Sequence, residues 1–156
     1  MSWVVLKFGG TSVAGPAQWR TIRRLVRERQ AEGHRVLVVC SALAGVTDRL
    51  FRLDPGFESD LNALLHRHAA LAEQLEVDAD DLLAEGEARL RAALAAFAAD
   101  PVPRQRARIV AQGEWLSTRI GHRALALDGP AEWVDVRDAL EALPDLLPVA
   151  DADIAK

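Results

Sequence analysis

Cysteine, tyrosine, methionine and lysine are all scarce in this sequence of 156 residues. It contains one cysteine, one methionine and no tyrosine, and aromatic residues make up 5% of it. A single cysteine excludes an internal disulfide. Half of the residues are nevertheless hydrophobic, so the chain can bury a substantial core and is most simply one domain.

A concentration of positive charge is also lacking. The formal net charge is −4 and the isoelectric point is about 5.6. Proteins that bind the phosphates of nucleic acids need a concentrated basic surface, so we expect no nucleic-acid partner. The opening apolar run is too short for a signal peptide or a membrane span, which predicts a cytoplasmic protein without a membrane partner.

The rarity of lysine draws attention to the first strand that the sequence predicts. Residues Trp3 to Phe8 form a short apolar run rich in β-formers. Lys7 lies inside that run, although all other positive side chains except the terminal Lys156 are arginines. A point charge on a flexible stem suits a phosphate that moves during a reaction. The alternative is a lysine that extends from a strand end into water.

A glycine pair follows this strand, and two hydroxyl side chains follow the pair. Gly9 and Gly10 let backbone N–H groups approach a ligand, and Thr11 and Ser12 add donors. Such a turn before a helix favours an anion, because unpaired amides and the helix dipole both attract negative charge. With Lys7 beside it, the turn is a candidate phosphate site.

A second turn of the same kind is predicted to lie beside the first. A helix is predicted to start at Gly15-Pro16 and to end at Gly33. The β-branched run Arg35 to Cys40 follows it, is typical of a parallel strand covered on both faces, and completes a β-α-β unit. A right-handed crossover brings both turns to one edge of a parallel sheet. The second turn carries Ser41 and Thr47, which either serve a polar site or cap the next helix.

The middle of the chain is predicted to be helical, as an insertion from about 60 to 122. Gly113 interrupts its last helix at a cost of roughly 1 kcal/mol, which indicates a close approach to the backbone. Glu114 follows among apolar neighbours, so its carboxylate needs a cationic partner. Either an arginine of this chain or a bound ammonium group meets that need. His66 and His68 are two residues apart and cannot jointly hold a metal on a helix.

Four of these segments, taken in order, resemble the N-terminal motifs of aspartate kinases in the amino-acid kinase superfamily. They are Lys7-Phe-Gly-Gly-Thr-Ser-Val13, Ser41-Ala-Leu-Ala-Gly-Val-Thr47, Gly113-Glu114 and Val134-Asp-Val-Arg137. The resemblance implies a three-layer α/β fold with a mainly parallel sheet and helices on both faces. The predicted sheet contains Trp3 to Phe8, Arg35 to Cys40 and Glu132 to Val136.

The resemblance also implies an activity, which is transfer of the ATP γ-phosphate to the β-carboxylate of L-aspartate with Mg²⁺. This reaction opens the biosynthesis of lysine, threonine and methionine. A carboxylate acceptor has no proton to remove, so catalysis rests on positioning and charge neutralisation. By resemblance, Lys7 holds the transferring phosphate, and Gly9 and Gly10 donate backbone N–H groups to it.

The substrate residues follow from the same resemblance. Ser41 and Thr47 orient the aspartate, and Glu114 pairs with its α-ammonium group. Asp135 and Arg137 match a motif but are interpreted as mainly structural. No metal ligands are predicted within this chain.

The resemblance covers about half of a catalytic domain, so the expected activity belongs to a longer parent chain. Because a sheet that continues elsewhere exposes an edge, a homo-oligomer is also expected. The alternative is a non-catalytic α/β module that serves in binding or oligomerisation.

Overall fold

The computed structural model describes residues 2–53 and 58–139. Its elements are the strands β1 (Trp3–Phe8) and β2 (Arg35–Cys40) and the helices α1 (Pro16–Ala31), α2 (Val46–Arg52), α3 (Glu58–Gln74), α4 (Asp80–Ala99), α5 (Pro103–Ala126) and α6 (Val136–Ala139). A short 3-10 turn, Gly10–Val13, lies between β1 and α1. The α/β class predicted from the sequence is confirmed.

The two strands pair in parallel, and α1 connects them. Their register places Trp3 beside Arg35 and Phe8 beside Cys40. Proline at the first position of α1 and a left-handed Gly33 after its end agree with the predicted boundaries of that helix. The β-α-β unit is therefore present as predicted.

Only one face of the sheet is covered by described residues. Val4, Leu6 and Phe8 of β1 point toward the protein, whereas Trp3 and Val5 of the same strand are 61% and 60% exposed. Buried and exposed residues alternate in the same way along β2. The prediction that the run Arg35 to Cys40 is covered on both faces is therefore not met by the described residues. The helices on the second face of the predicted three-layer arrangement are absent from residues 2–53 and 58–139.

The third predicted strand, Glu132 to Val136, is wrong. Residues 131–135 form no strand, and α6 begins at Val136. Local hydrogen bonds explain the difference, because the Asp135 carboxylate accepts from the backbone N–H of Arg137 at 3.0 Å and from its side chain. Such local bonds offer the backbone an alternative to strand pairing.

Helix α5 is the central element of the packing. It contacts α1, α2, α3, α4 and β2, so the helical region shares its core with the sheet. The helices α3 to α5 extend over residues 58–126, slightly more than the predicted range. No helix among the described residues is long and apolar enough to span a bilayer.

Glycines let α5 lie close to its neighbours. A Cβ added at Gly121 would lie 2.0 Å from Cη2 of Trp19, a fully buried side chain of α1. Trp19 cannot move away easily, because its Nε1 donates to the carbonyl of Val13 at 3.0 Å. The crossing of α5 and α1 therefore depends on the absence of a side chain at residue 121.

His68 is the buried polar side chain of α3, whereas His66 is exposed. The two histidines face different directions, as their spacing predicts. Burial lowers the pKa of His68, against the opposing effect of its hydrogen bond with the carbonyl of Leu64, so the ring is neutral at neutral pH. It packs in the helical core rather than in a metal site.

We expect Gly121→Ala to lower the free energy of unfolding by about 1 to 3 kcal/mol, because it overpacks a filled core. Chemical denaturation measures the change. Gly9→Ala is the matched control, since a Cβ there meets nothing within 4 Å and the φ of −76° suits alanine. Equal stability of the two variants would contradict this account of the α1–α5 crossing.

Candidate functional site

The two turns that follow β1 and β2 lie together and are hydrogen-bonded. The N–H of Ala44 donates to the carbonyl of Gly10 at 3.1 Å, and the N–H of Ser41 donates to that of Phe8 at 3.1 Å. These bonds extend the pairing of the strands into the turns. The predicted meeting of both turns at one sheet edge is therefore confirmed.

The two glycines of the first turn have different roles. A Cβ at Gly10 would lie 2.7 Å from the carbonyl oxygen of Ala42, so this glycine is required by the contact between the turns. A Cβ at Gly9 would meet nothing within 4 Å. The backbone at Gly9 is therefore open, whereas the missing side chain at Gly10 lets the two turns come close to each other.

Lys7 lies on the open face of the sheet, one residue before the end of β1. Its side chain is exposed and forms no hydrogen bond or ion pair with the residues that the structure describes. Thr11 and Ser12 follow in the 3-10 turn, also with exposed side chains, and the N–H of Ser12 donates to the carbonyl of Gly9 at 2.9 Å. A cation and two hydroxyls are thus available around the space beside Gly9.

The second turn is fixed by α5. The hydroxyl of Ser117, which is fully buried, donates to the carbonyl of Ser41 at 2.8 Å. A Cβ at Gly113 would lie 3.0 Å from Cβ of Ala42, which confirms the close approach predicted at this glycine. Ser117 was missed by the sequence interpretation, although it is one of nine serine and threonine residues and lies three residues after Glu114.

Helix capping does not explain Ser41 or Thr47. The N-cap of α2 is Gly45, in the left-handed region at φ 75°, and no side chain caps the helix. Thr47 is the exposed second residue of α2, and Ser41 is partly buried at the end of β2. The capping alternative is therefore wrong, and neither hydroxyl makes a hydrogen bond within residues 2–53 and 58–139.

Glu114 projects from α5 beside this turn. It is partly buried, and its carboxylate makes no hydrogen bond or ion pair within the described part of the chain. The alternative of an arginine partner is thus not found there. Its backbone is held instead, because the Thr118 hydroxyl donates to the Glu114 carbonyl at 2.7 Å.

The side of α5 beyond Glu114 carries a stack of arginine and tryptophan side chains. The guanidinium of Arg89 lies 4.7 Å from the ring centre of Trp115, and that of Arg119 lies 4.8 Å from the ring centre of Trp133. Trp133 Nε1 donates to the Thr118 hydroxyl at 3.1 Å. Residues 131–135 are thereby attached to the helix one turn after Glu114.

Asp135 and Arg137 pair with each other, which agrees with the prediction that their role is mainly structural. The hydrogen bonds from Arg137 lower the pKa of the Asp135 carboxyl to about 2, so the carboxylate is charged throughout the neutral range. Neither side chain lies free for a ligand. No group of His, Cys, Asp or Glu among residues 2–53 and 58–139 is arranged to hold a metal ion.

The polar side chains of this two-stranded parallel unit lie at its strand ends, which is where α/β domains commonly place their ligands. The family model for amino acid kinases matches residues 2–149. The chain therefore belongs to the amino acid kinase family.

Relatives within this family are aspartokinases. The chain is 32% identical, over 91% of its length, to a bifunctional chloroplastic aspartokinase/homoserine dehydrogenase of Daucus carota. It is 28% identical, over 81% of its length, to an aspartokinase of Helicobacter pylori. It spans 17% of the former protein and 23% of the latter.

A solved structure supports the same relationship. The E. coli aspartokinase III in complex with aspartate and ADP matches 88% of this chain with a TM-score of 0.75 and 30% identity. The match covers 32% of that chain. The described fold is therefore that of part of an aspartokinase.

We expect Ser117→Ala to loosen the second turn, because a buried hydroxyl that holds the Ser41 carbonyl is lost. Such a loss costs about 1 to 3 kcal/mol when a buried acceptor is left unsatisfied. Amide hydrogen exchange should accelerate at residues 41–47, and Ser59→Ala, at an exposed position, should have no effect there. Unchanged exchange in the turn would contradict the role of Ser117.

Proposed function

We propose that this chain is the N-terminal, aspartate- and phosphate-binding part of an aspartate kinase. In the complete enzyme, the γ-phosphate of ATP would be transferred to the β-carboxylate of L-aspartate. The observation that carries the proposal is that the two turns are joined by hydrogen bonds, with Lys7 near the end of the strand that leads into the first turn and Glu114 on the helix that packs against the second. Both charges lack partners among the described residues, which suits a site that is completed by its ligands.

The first turn suits the phosphates of ATP. Lys7 would neutralise the charge of the transferring group, and backbone N–H groups at Gly9 and Gly10 and the hydroxyls of Thr11 and Ser12 would donate to its oxygens. A Cβ at Gly9 would meet nothing within 4 Å, so the backbone there is accessible to a phosphate group. Mg²⁺ would arrive with ATP, since it commonly binds through substrate phosphates and few carboxylates.

The second turn and α5 suit the amino-acid substrate. Glu114 would bind the α-ammonium group, and the hydroxyls of Ser41 and Thr47 would orient the molecule. Because a carboxylate acceptor needs no general base, the residues around it have only to position it and to compensate charge. Lys7 would act most strongly as negative charge shifts in the transition state.

The chain alone should bind L-aspartate weakly and transfer no phosphate at a measurable rate. Half a site lacks several charge-assisted hydrogen bonds, each of which contributes about one to two powers of ten in affinity, so we expect a millimolar dissociation constant or weaker. Glu114→Gln should weaken aspartate binding by about tenfold or more, and the exposed Glu73→Gln should leave it unchanged. Binding is measured by nuclear magnetic resonance, and phosphate transfer by coupled ADP release.

Two results would contradict parts of this proposal. Equal aspartate affinity of the wild type and Glu114→Gln would exclude the substrate role of Glu114. Aspartate-dependent ADP release that disappears in Lys7→Ala would show that this chain is catalytically sufficient, and the half-site interpretation would then be wrong.

A second candidate function, as a binding or oligomerisation module, is favoured by the open sheet face. Trp3, Val5, Leu37 and Val39 expose between 43% and 61% of their surface there. Hydrophobic surface of this kind favours association. We propose that the chain forms homo-oligomers through this face.

Light scattering against concentration tests the association. The apparent mass of the wild type should rise with concentration, and Val5→Glu should reduce that rise, because a charge in the apolar face must be desolvated on contact. Ala92→Glu, on the exposed side of α4, is the matched control. A wild type that stays monomeric at high concentration would exclude this surface as a self-association site.

A further inference from the structure

Two partly buried charged side chains have no partner among the residues that the structure describes. The other partly buried charged residues have partners: Arg23 with Asp128, Arg29 with Glu32, Glu87 with Arg91, Arg123 with Asp81, Asp135 with Arg137, Arg89 with Gln112, Arg106 with the Leu53 carbonyl, and Arg119 with two indole rings. Arg67 and Glu114 are partly buried, and neither makes a hydrogen bond, ion pair or aromatic contact with its side chain in the described ranges. They carry opposite charges.

Arg67 lies on α3 beside the second turn. A Cβ placed at Gly45 would lie 3.9 Å from Nη1 of Arg67, so the guanidinium faces the point where the turn enters α2. Gly45 has a φ of 75° and no side chain to cover the guanidinium. The positive group therefore borders the same turn that presents Ser41 and Thr47.

Glu114 borders this turn from the other helix. Its neighbour Gly113 packs against Ala42 and Val46, where an added Cβ would lie 3.0 Å and 2.9 Å from their side chains. The turn is thus flanked by α3 with a cation and by α5 with an anion. No ion pair joins Arg67 to Glu114 among the residues that the structure describes, although the two helices that carry them flank the same turn.

A partly buried charge has lost some of its water, and a counter-ion or hydrogen-bond partner compensates that loss. One molecule that carries both an ammonium and a carboxylate group would compensate both charges. A guanidinium suits the carboxylate especially well, since its planar fork donates two parallel hydrogen bonds. The complementary ligand is therefore a zwitterionic amino acid.

We propose that Arg67 is a further binding residue of the substrate site and holds a carboxylate group of the amino acid whose ammonium group Glu114 binds. This proposal rests on the proposed function for the identity of the amino acid. Arg67 would supply a positive charge from α3 for the carboxylate, a role that none of the motif residues fills. Arg67 also separates recognition of the carboxylate from Lys7, whose position suits the phosphate.

Two ligands distinguish the role of Arg67 from that of Glu114. L-aspartate carries both an ammonium and carboxylates, whereas succinate has the carboxylates alone. Arg67→Gln should weaken the binding of both by about tenfold or more, because one charge-assisted contact is lost. Glu114→Gln should weaken the binding of L-aspartate and leave that of succinate no weaker.

The control variants test whether a loss of binding comes from unfolding or from a change in net charge. Arg104→Gln removes an exposed arginine at the start of α5, and it should leave both dissociation constants within about twofold. Arg67→Lys keeps the positive charge and should restore part of the affinity without the bidentate geometry. Thermal unfolding of each variant verifies that the chain remains folded.

Ligand-observed nuclear magnetic resonance of the whole 156-residue chain gives the dissociation constants. Wild-type affinity for both probes in Arg67→Gln would overturn the proposal, while a loss of aspartate binding in Glu114→Gln would still support the proposed function. If Glu114→Gln has no effect and Arg67→Gln still weakens succinate, the Arg67 site stands and the proposed function fails. Absence of measurable binding of either probe to the wild type would overturn the Arg67 site.

Discussion

The contact between α5 and the turn at residues 41–47 is the constraint on which the candidate site depends. Gly113 lets the helix approach the turn, and the Ser117 hydroxyl holds the Ser41 carbonyl at 2.8 Å. This contact fixes where Glu114 stands. Pairing of β1 with β2 brings Gly10 and the first turn against the same segment, so both parts of the candidate site are positioned through it.

Local patterns predicted the elements that build this site. The apolar run before Gly9 and the β-branched run before Ser41 are rich in residues that favour strands, and the proline at the start of α1 marks its beginning. The close approach at Gly113 could be predicted because glycine inside a helix lowers the stability of that helix, and a close contact compensates the loss. The meeting of the two turns followed from the topology of a parallel unit.

Other features depend on contacts that the sequence does not display. Residues 132–136 have the composition of a strand, but Asp135 bonds locally to Arg137 and Trp133 binds to the hydroxyl of Thr118 on α5. The role of Gly10 lies in its contact with Ala42, far along the chain. Arg67 gave no signal at all, because its relation to Gly45 exists only after α3 has packed.

Above all, we propose that L-aspartate binds at the second turn, between α3 and α5. A residue-resolved nuclear magnetic resonance titration of the labelled chain tests it most directly. L-aspartate should shift the backbone signals of residues 41–47 and of Glu114 in one saturable process, and it should leave α4 unchanged. Shifts confined to the shallow cavity between α3 and α4, which includes His66, Glu73 and Asp80, or no saturable shifts at all, would contradict the claim.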